Sequence, residues 1–180
     1  MLALLAAVPA SARADRRGPT TDPPAKASLT VMSSAFRNGG AIPPEYTCDG
    51  TQQPPPLAWS NVPPGTRSIA IFVDDLDAPQ GTFTHWLVSG IPPTTTSLSA
   101  GGAAGGALPQ GALAAPNSRG LVGYAGPCPP SGRHRYEFHV YALDTGIAPP
   151  ASVAAFRSEI DGHVLAEGEL IGTYTRITPQ

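Results

Sequence analysis

Hydrophobic residues run unbroken from Ile69 to Val73 and then stop at three acids within four positions, Asp74, Asp75 and Asp77. Ala78-Pro79 and Gly81 follow, and Thr84-His85-Trp86-Leu87-Val88 begins a second apolar run. Short continuous apolar runs bounded by turn residues are the mark of strands buried on both faces, so Ser68–Val88 is expected to be strand, acidic loop, strand. Upstream, Leu29–Phe36 is expected to be an edge strand, 42–50 a turn-rich loop, and Leu57-Ala58-Trp59-Ser60 a short strand before the turn at Val62-Pro63-Pro64-Gly65-Thr66. Downstream, 91–115 carries Pro92-Pro93, Gly101-Gly102 and Gly105-Gly106 with almost no charge. That is too long for an ordinary connection and implies a mobile or functional loop. Arg135–Leu143 alternates, with Tyr136, Phe138 and Val140 on one side and Glu137, His139 and Tyr141 on the other. Helical spacing first appears at Val153, Phe156, Ile160 and Val164, interrupted by Gly162, which predicts one or two short helices with Gly168 as a C-terminal cap. A strand over 170–177 closes the chain. The predicted fold class is mostly β, largely antiparallel, with one or two short helices near the C-terminus and no internal repeat.

Composition agrees with short elements and many turns: of 180 residues only 13% are charged, while there are 22 prolines and 20 glycines. A formal charge of −2 provides no broad basic face for nucleic acid or an anionic membrane. Residues 1–10 are almost wholly apolar and precede Ala12-Arg13-Ala14, an A-x-A cleavage pattern. The expected organisation is a signal peptide over 1–14 that lacks its basic start, a disordered polar linker over 15–27, and one domain over 28–180. The apolar stretch is too short to span a bilayer, so the chain is expected to be secreted or periplasmic, with no transmembrane segment. The two cysteines, Cys48 and Cys128, form either a disulfide or two buried free thiols. As a disulfide they would close a loop of about 80 residues, worth about 4–5 kcal/mol by chain entropy. Their spacing excludes a four-ligand zinc site.

Candidate chemistry is scattered. G-x-S-x-G, the P-loop, G-x-G-x-x-G and H-E-x-x-H are all missing. The acid cluster fits a paired-carboxylate hydrolase, a cation loop without the glycine and distal Glu of an EF-hand, or turn caps that bond backbone amides. His85 fits either a partner of Asp75 or Asp77 or a core histidine bonded to a backbone carbonyl. His134 and Tyr136, two apart, share one side of a strand and could offer an imidazole and a phenol to one ligand. His139 falls on the opposite side, which argues against a metal shared with His134. His163 is expected to be structural.

Several motifs occur together and in order: Tyr46-Thr47-Cys48-Asp49-Gly50, Pro55-Pro56-Leu57-Ala58-Trp59, Asp75-Leu76-Asp77-Ala78-Pro79, Thr84-His85-Trp86, Gly123-Tyr124-Ala125-Gly126-Pro127-Cys128-Pro129-Pro130, His134-Arg135-Tyr136 and Gly162-His163-Val164-Leu165-Ala166. With these the chain resembles the phosphatidylethanolamine-binding protein family, in its bacterial and archaeal YbhB/YbcL, Raf-kinase-inhibitor-like branch. The resemblance spans roughly 29–176. It implies a β fold with a small pocket for phosphate-like anions and the phosphorylethanolamine head group, lined by Asp75, Ala78, Pro79, His85, Pro130, His134 and Tyr136. His85 and His134 are expected to donate to an anion, Tyr136 to add a hydroxyl, Asp75 to orient the His85 imidazole, and Pro79, Pro130 and Trp86 to form apolar walls. Two departures stand out. Leu76 replaces the usual proline of the acidic motif, and Gln53-Pro54 replace polar residues before Pro55. No cofactor, metal or enzymatic activity is expected. The partners to test are a small phosphorylated ligand, a protease or kinase bound through the same surface, and a second copy in a homodimer. A phosphoester hydrolase using Asp75 or Asp77 with His85 is disfavoured because no activated nucleophile is visible.

Overall fold

A computed structural model describes residues 27–101, 108–148 and 152–176. The expected signal peptide and all but the last residue of the expected linker lie outside the described residues. The strands in chain order are β1 (Ala27–Ser28), β2 (Thr30–Met32), β3 (Gly40–Ala41), β4 (Leu57–Ser60), β5 (Ser68–Asp75), β6 (Phe83–Ile91), β7 (Ser97–Leu98), β8 (Leu113–Ala114), β9 (Arg133–Leu143) and, after helix α1 (Val153–Ile160), β10 (Val164–Thr175). The large sheet has the order β1-β10-β9-β5-β6-β8, with β3 also on β10; β2-β4-β7 form a small second sheet. The expected mostly β, largely antiparallel fold is what is found. Parallel pairing is confined to the two-residue strands β1 and β3 against β10.

Three layers explain the sequence pattern. Ile69, Ile71, Val73, Trp86, Val88, Phe138 and Val140 face the small sheet's Val31, Leu57 and Trp59 in one core. Ala70, Phe72, Leu87 and Leu143 face the other way and meet Phe156 and Ile160 of α1. β5 is therefore covered on both faces, and all eight of its residues are buried. That is why it reads as an unbroken apolar run instead of an alternating one. β9 alternates because its outer side, with Glu137, His139 and Tyr141, is only partly covered.

Four expectations need correcting. Asp74 and Asp75 are not loop residues: they are the last two positions of β5, and both are buried. Their carboxylates find donors inside the protein, which lets the strand continue through them. Val164 is not helical. Ser152 caps α1 by accepting from the Ala155 amide (3.2 Å), and the chain leaves the helix at Gly162, whose φ of 80° favours glycine. Val164 then opens β10 and packs on the same core as Phe156 and Ile160, so its helical spacing is accidental. Gly168 is not a helix cap either. It lies inside β10, where an added Cβ would stand 2.4 Å from the Leu29 carbonyl oxygen. Finally, 91–115 is not a single loop: it supplies β7 to the small sheet and β8 to the edge of the large one, with 102–107 outside the described residues.

Gly168→Ala is expected to lower unfolding free energy by about 1–3 kcal/mol, because the Leu29 backbone must move to admit the methyl group. Urea denaturation at constant m-value checks it.

Candidate functional site

The acidic end of β5, the start of β9 and a bulge in β6 bring the candidate residues together. In the ladder Asp75 lies opposite Tyr136. Across the other edge of β5, Val73 pairs with Trp86 but Asp74 pairs with Thr84, so His85 is the extra residue of a β-bulge. A bulge re-aims a side chain. It frees His85 from the strict alternation of β6 and lets its ring meet Tyr136 edge-on at 5.2 Å between centroids.

The three acids take three different donors. Asp74 accepts from the Thr84 hydroxyl (2.6 Å) and from the Arg157 guanidinium on the α1 side of the sheet. Asp75 accepts from Nδ1 of His134 (2.7 Å) through one oxygen and from the Asp77 amide (2.9 Å) through the other. Asp77 is held by Arg135, through Nε (2.9 Å) and Nη2 (2.8 Å). The Arg135 hydrogen bonds bring the Asp77 carboxyl down to about 2, although the pair sits in solvent. Each carboxylate thus has its own donors, the outcome expected if the acids bond donors within the protein instead of pairing with one another. One expectation is overturned here: Asp75 orients His134, not His85. Its carboxylate and the His134 imidazole are both buried and in contact.

His85 takes the other alternative named for it. Its Nδ1–H donates to the Ala125 carbonyl (2.7 Å), and the Ala125 amide donates back to the His85 carbonyl (2.8 Å). Desolvation by burial pushes its pKa below the ordinary 6.5, with Arg119 adding to the fall and the Ala125 carbonyl and Asp75 opposing it.

These groups surround a cavity of about 130 Å³ lined by Asp75, Ala78, Pro79, Phe83, His85, Arg119, Cys128, Pro130 and His134. Six of the seven residues expected at the site therefore meet in one place. Tyr136 stands just behind them. Its hydroxyl is buried near the Asp75 carboxylate and the Cys128 backbone, and burial, reinforced by Asp75, drives its pKa up. Trp86 does not form a wall; it is sealed in the core and packs edge-on against Tyr124. Leu76 points away from the cavity, into a separate hollow beside Asp74 and Arg157.

Phe83, Arg119 and Cys128 are lining residues that sequence reasoning missed. Cys128 could have been found from its place beside Pro130. Arg119 carried no signal, because the chain reaches the cavity only through a turn whose path is set by tertiary contacts. The Cys48–Cys128 disulfide does form, with a Cα–Cα separation of 5.4 Å, and it fastens the wall that carries Pro130. The Cys48 amide donates to the Pro127 carbonyl (3.1 Å) beside it, and the Tyr124 hydroxyl to that of Tyr46 (3.0 Å). A possible metal-ligating group lies elsewhere. Glu137, His139 and Glu169, on the opposite side of the large sheet, bring ligand atoms within 4.8 Å of one another, and Glu169 is exposed. No helix among the described residues is long and apolar enough to cross a membrane.

Comparison with known proteins identifies the class. The family model described as phosphatidylethanolamine-binding protein matches residues 32–175. A UPF0098 protein of Methanothermobacter thermautotrophicus is 45% identical over 150 residues, which cover 82% of this chain and 99% of the relative. The crystal structure of Escherichia coli YbcL, described as a new member of the mammalian PEBP family, superposes with a TM-score of 0.77 at 34% identity, covering 83% of this chain and 99% of YbcL. The Chlamydia trachomatis protein CT736 gives a TM-score of 0.76 at 35% identity, covering 83% of this chain and 98% of its own. The chain belongs to the phosphatidylethanolamine-binding protein family, in its bacterial and archaeal branch.

Two outcomes are expected. Because folding keeps His85 from taking a proton that the unfolded chain accepts below about pH 6.5, His85 subtracts stability progressively as pH falls through that value. The variant His85→Gln should flatten the fall in thermal midpoint on going from pH 7 to about pH 5. Replacing both cysteines with Ser should cost about 2–5 kcal/mol in denaturant unfolding.

Proposed function

We propose that the chain is a non-enzymatic binding protein for a small phosphate-bearing anion of the phosphorylethanolamine type. The observation that carries this reading is the anchoring of two imidazoles around one small cavity. His85 spends Nδ1 on a backbone carbonyl and His134 spends Nδ1 on Asp75, so each ring keeps Nε2 for a ligand. Charge-assisted hydrogen bonds from preoriented donors in a small pocket suit phosphate oxygens. Pro79, Pro130 and Phe83 supply apolar contact for the short carbon chain of a head group. The volume supports a head group, not an acyl chain. A binding role is favoured over hydrolysis because the candidate nucleophiles are engaged. The Cys128 sulfur is bonded to Cys48, and the Asp75 carboxylate holds His134. The disulfide supports a secreted or periplasmic location, since such bonds persist in oxidising compartments.

With Nδ1–H committed to Ala125, His85 donates from Nε2 only when doubly protonated. Its lowered pKa means that it is largely neutral at neutral pH before ligand arrives. Binding should therefore take up a proton, and affinity should fall as pH rises above about 7, where a phosphomonoester has already lost its own second proton. Calorimetry with phosphorylethanolamine in buffers of different ionisation enthalpy measures that uptake directly. His85→Ala and His134→Ala should each weaken binding by about tenfold or more. Affinity independent of pH and unchanged in both variants would sink the proposal.

A further inference from the structure

Arg119 is the one arginine or lysine among the side chains lining the cavity. Nearby guanidiniums are already engaged, Arg135 by Asp77 and Arg157 by Asp74, whereas Arg119 has no carboxylate within ion-pair distance among the described residues. Its position is nonetheless built. The Ser118 amide donates to the Thr84 carbonyl (3.0 Å) and the Thr84 amide to the Ser118 hydroxyl (2.8 Å), which lash the turn to β6 one residue from His85. The buried Asn117 side chain accepts from the amides of Arg119 (2.9 Å) and Leu121 (3.3 Å) and donates to the Gly123 carbonyl (3.1 Å). The guanidinium then stands over the Phe83 ring, 5.8 Å from its centroid, and Phe83 in turn lies 4.7 Å from the His85 ring. A backbone fixed at both ends thus carries an exposed, unpaired, permanently charged fork at the cavity, resting on an aromatic face.

We propose that Arg119 is the specificity-determining cation of this site and that it selects a dianionic phosphomonoester, or free phosphate, over a phosphodiester. The proposal rests on the anion-binding reading above. The reasoning is a charge count. The cavity is already bordered by the Asp75 carboxylate, hydrogen-bonded to the His134 imidazole, and Arg119 is the one arginine or lysine that faces it. A second negative charge on the ligand needs a compensating charge that is present at any working pH, and an arginine supplies it where a buried histidine does not. A guanidinium also offers two parallel N–H donors to two phosphate oxygens. A phosphomonoester keeps three terminal oxygens, enough for His85, His134 and the two-donor Arg119 fork when one oxygen accepts twice. A phosphodiester has one negative charge and two free oxygens, and its second ester arm must also fit the roughly 130 Å³ space. The phosphate of phosphatidylethanolamine in a bilayer is such a diester, so a water-soluble monoester is the better match.

The test is calorimetry on the full chain at about pH 7.5, above the second phosphate pKa of about 6. The ligands are inorganic phosphate, phosphorylethanolamine and the diester glycerophosphoethanolamine. Co-sedimentation with phosphatidylethanolamine vesicles and with vesicles carrying phosphatidic acid, a lipid monoester, separates a lipid source from a soluble one. The native chain should bind the soluble monoesters at least about tenfold tighter than the diester. Arg119→Gln should weaken monoester binding by about 10- to 100-fold while changing diester binding by less than about threefold, and Arg119→Lys should fall between. Binding to phosphatidic acid vesicles that depends on Arg119 would support the same selectivity with a lipid source. Unchanged monoester affinity in Arg119→Gln, equal losses for monoester and diester, or tight binding of the native chain to phosphatidylethanolamine vesicles would each overturn the assignment while leaving the anion site itself standing. Failure of the native chain to bind any of the three soluble ligands would overturn both.

Discussion

A carboxylate carried to the end of a strand that is buried on both faces has to find donors inside the protein, and Asp75 finds them in the His134 imidazole and the Asp77 amide. Leaving such a group unpaired costs several kcal/mol, about 3–5 when a buried ionic partner is removed. The constraint works outward from there. It holds the start of β9 against the end of β5, orients one imidazole, and tightens the turn that presents Ala78 and Pro79 to the cavity. The site is in this sense a by-product of solving a desolvation problem at the edge of the core.

The remaining wall depends on different physics. The Pro127-Cys128-Pro129-Pro130 segment has no strand to hold it. A disulfide, the Cys48 amide and the close seat of Gly126 against Thr47 hold it instead; a Cβ at Gly126 would meet the Thr47 carbonyl carbon at 2.8 Å. His85 is the hinge between the two halves. The bulge aims its ring, and the Ala125 carbonyl on the disulfide-fastened segment fixes its tautomer. Rigid placement of two rings by two unrelated devices keeps the pocket preformed, which lowers the ordering cost of binding.

Net charge said little about this site, because the relevant charges are local. Three acids close in sequence suggest an electronegative loop. In the folded chain they divide among Arg157, His134 and Arg135, and the cavity is faced by two imidazoles and an arginine together with Asp75, whose carboxylate is engaged by one of those imidazoles. An acidic motif can therefore border an anion site without repelling the anion.

The β class, β5, β6 and β9, and most of the lining residues were legible in the linear pattern. Strand burial follows from short-range apolar runs and period-two alternation, and the ordered motifs of 46–166 marked the family. Sequence also determined that Cys48 and Cys128 could pair, but whether they met was a matter of tertiary approach. What only the tertiary structure decided was partnership. Asp75 serves His134 across 59 positions and not His85 ten away, because β9 sets His134 against the end of β5, whereas the bulge in β6 and the Ala125 carbonyl take the His85 ring elsewhere. Val164 and Gly168 mimicked helix signals because spacing along a chain does not record where the chain turns back. Arg119 was invisible for the same reason: which side chain reaches a cavity depends on how a turn is lashed to a strand distant in sequence, and hydrophobic periodicity carries no information about that.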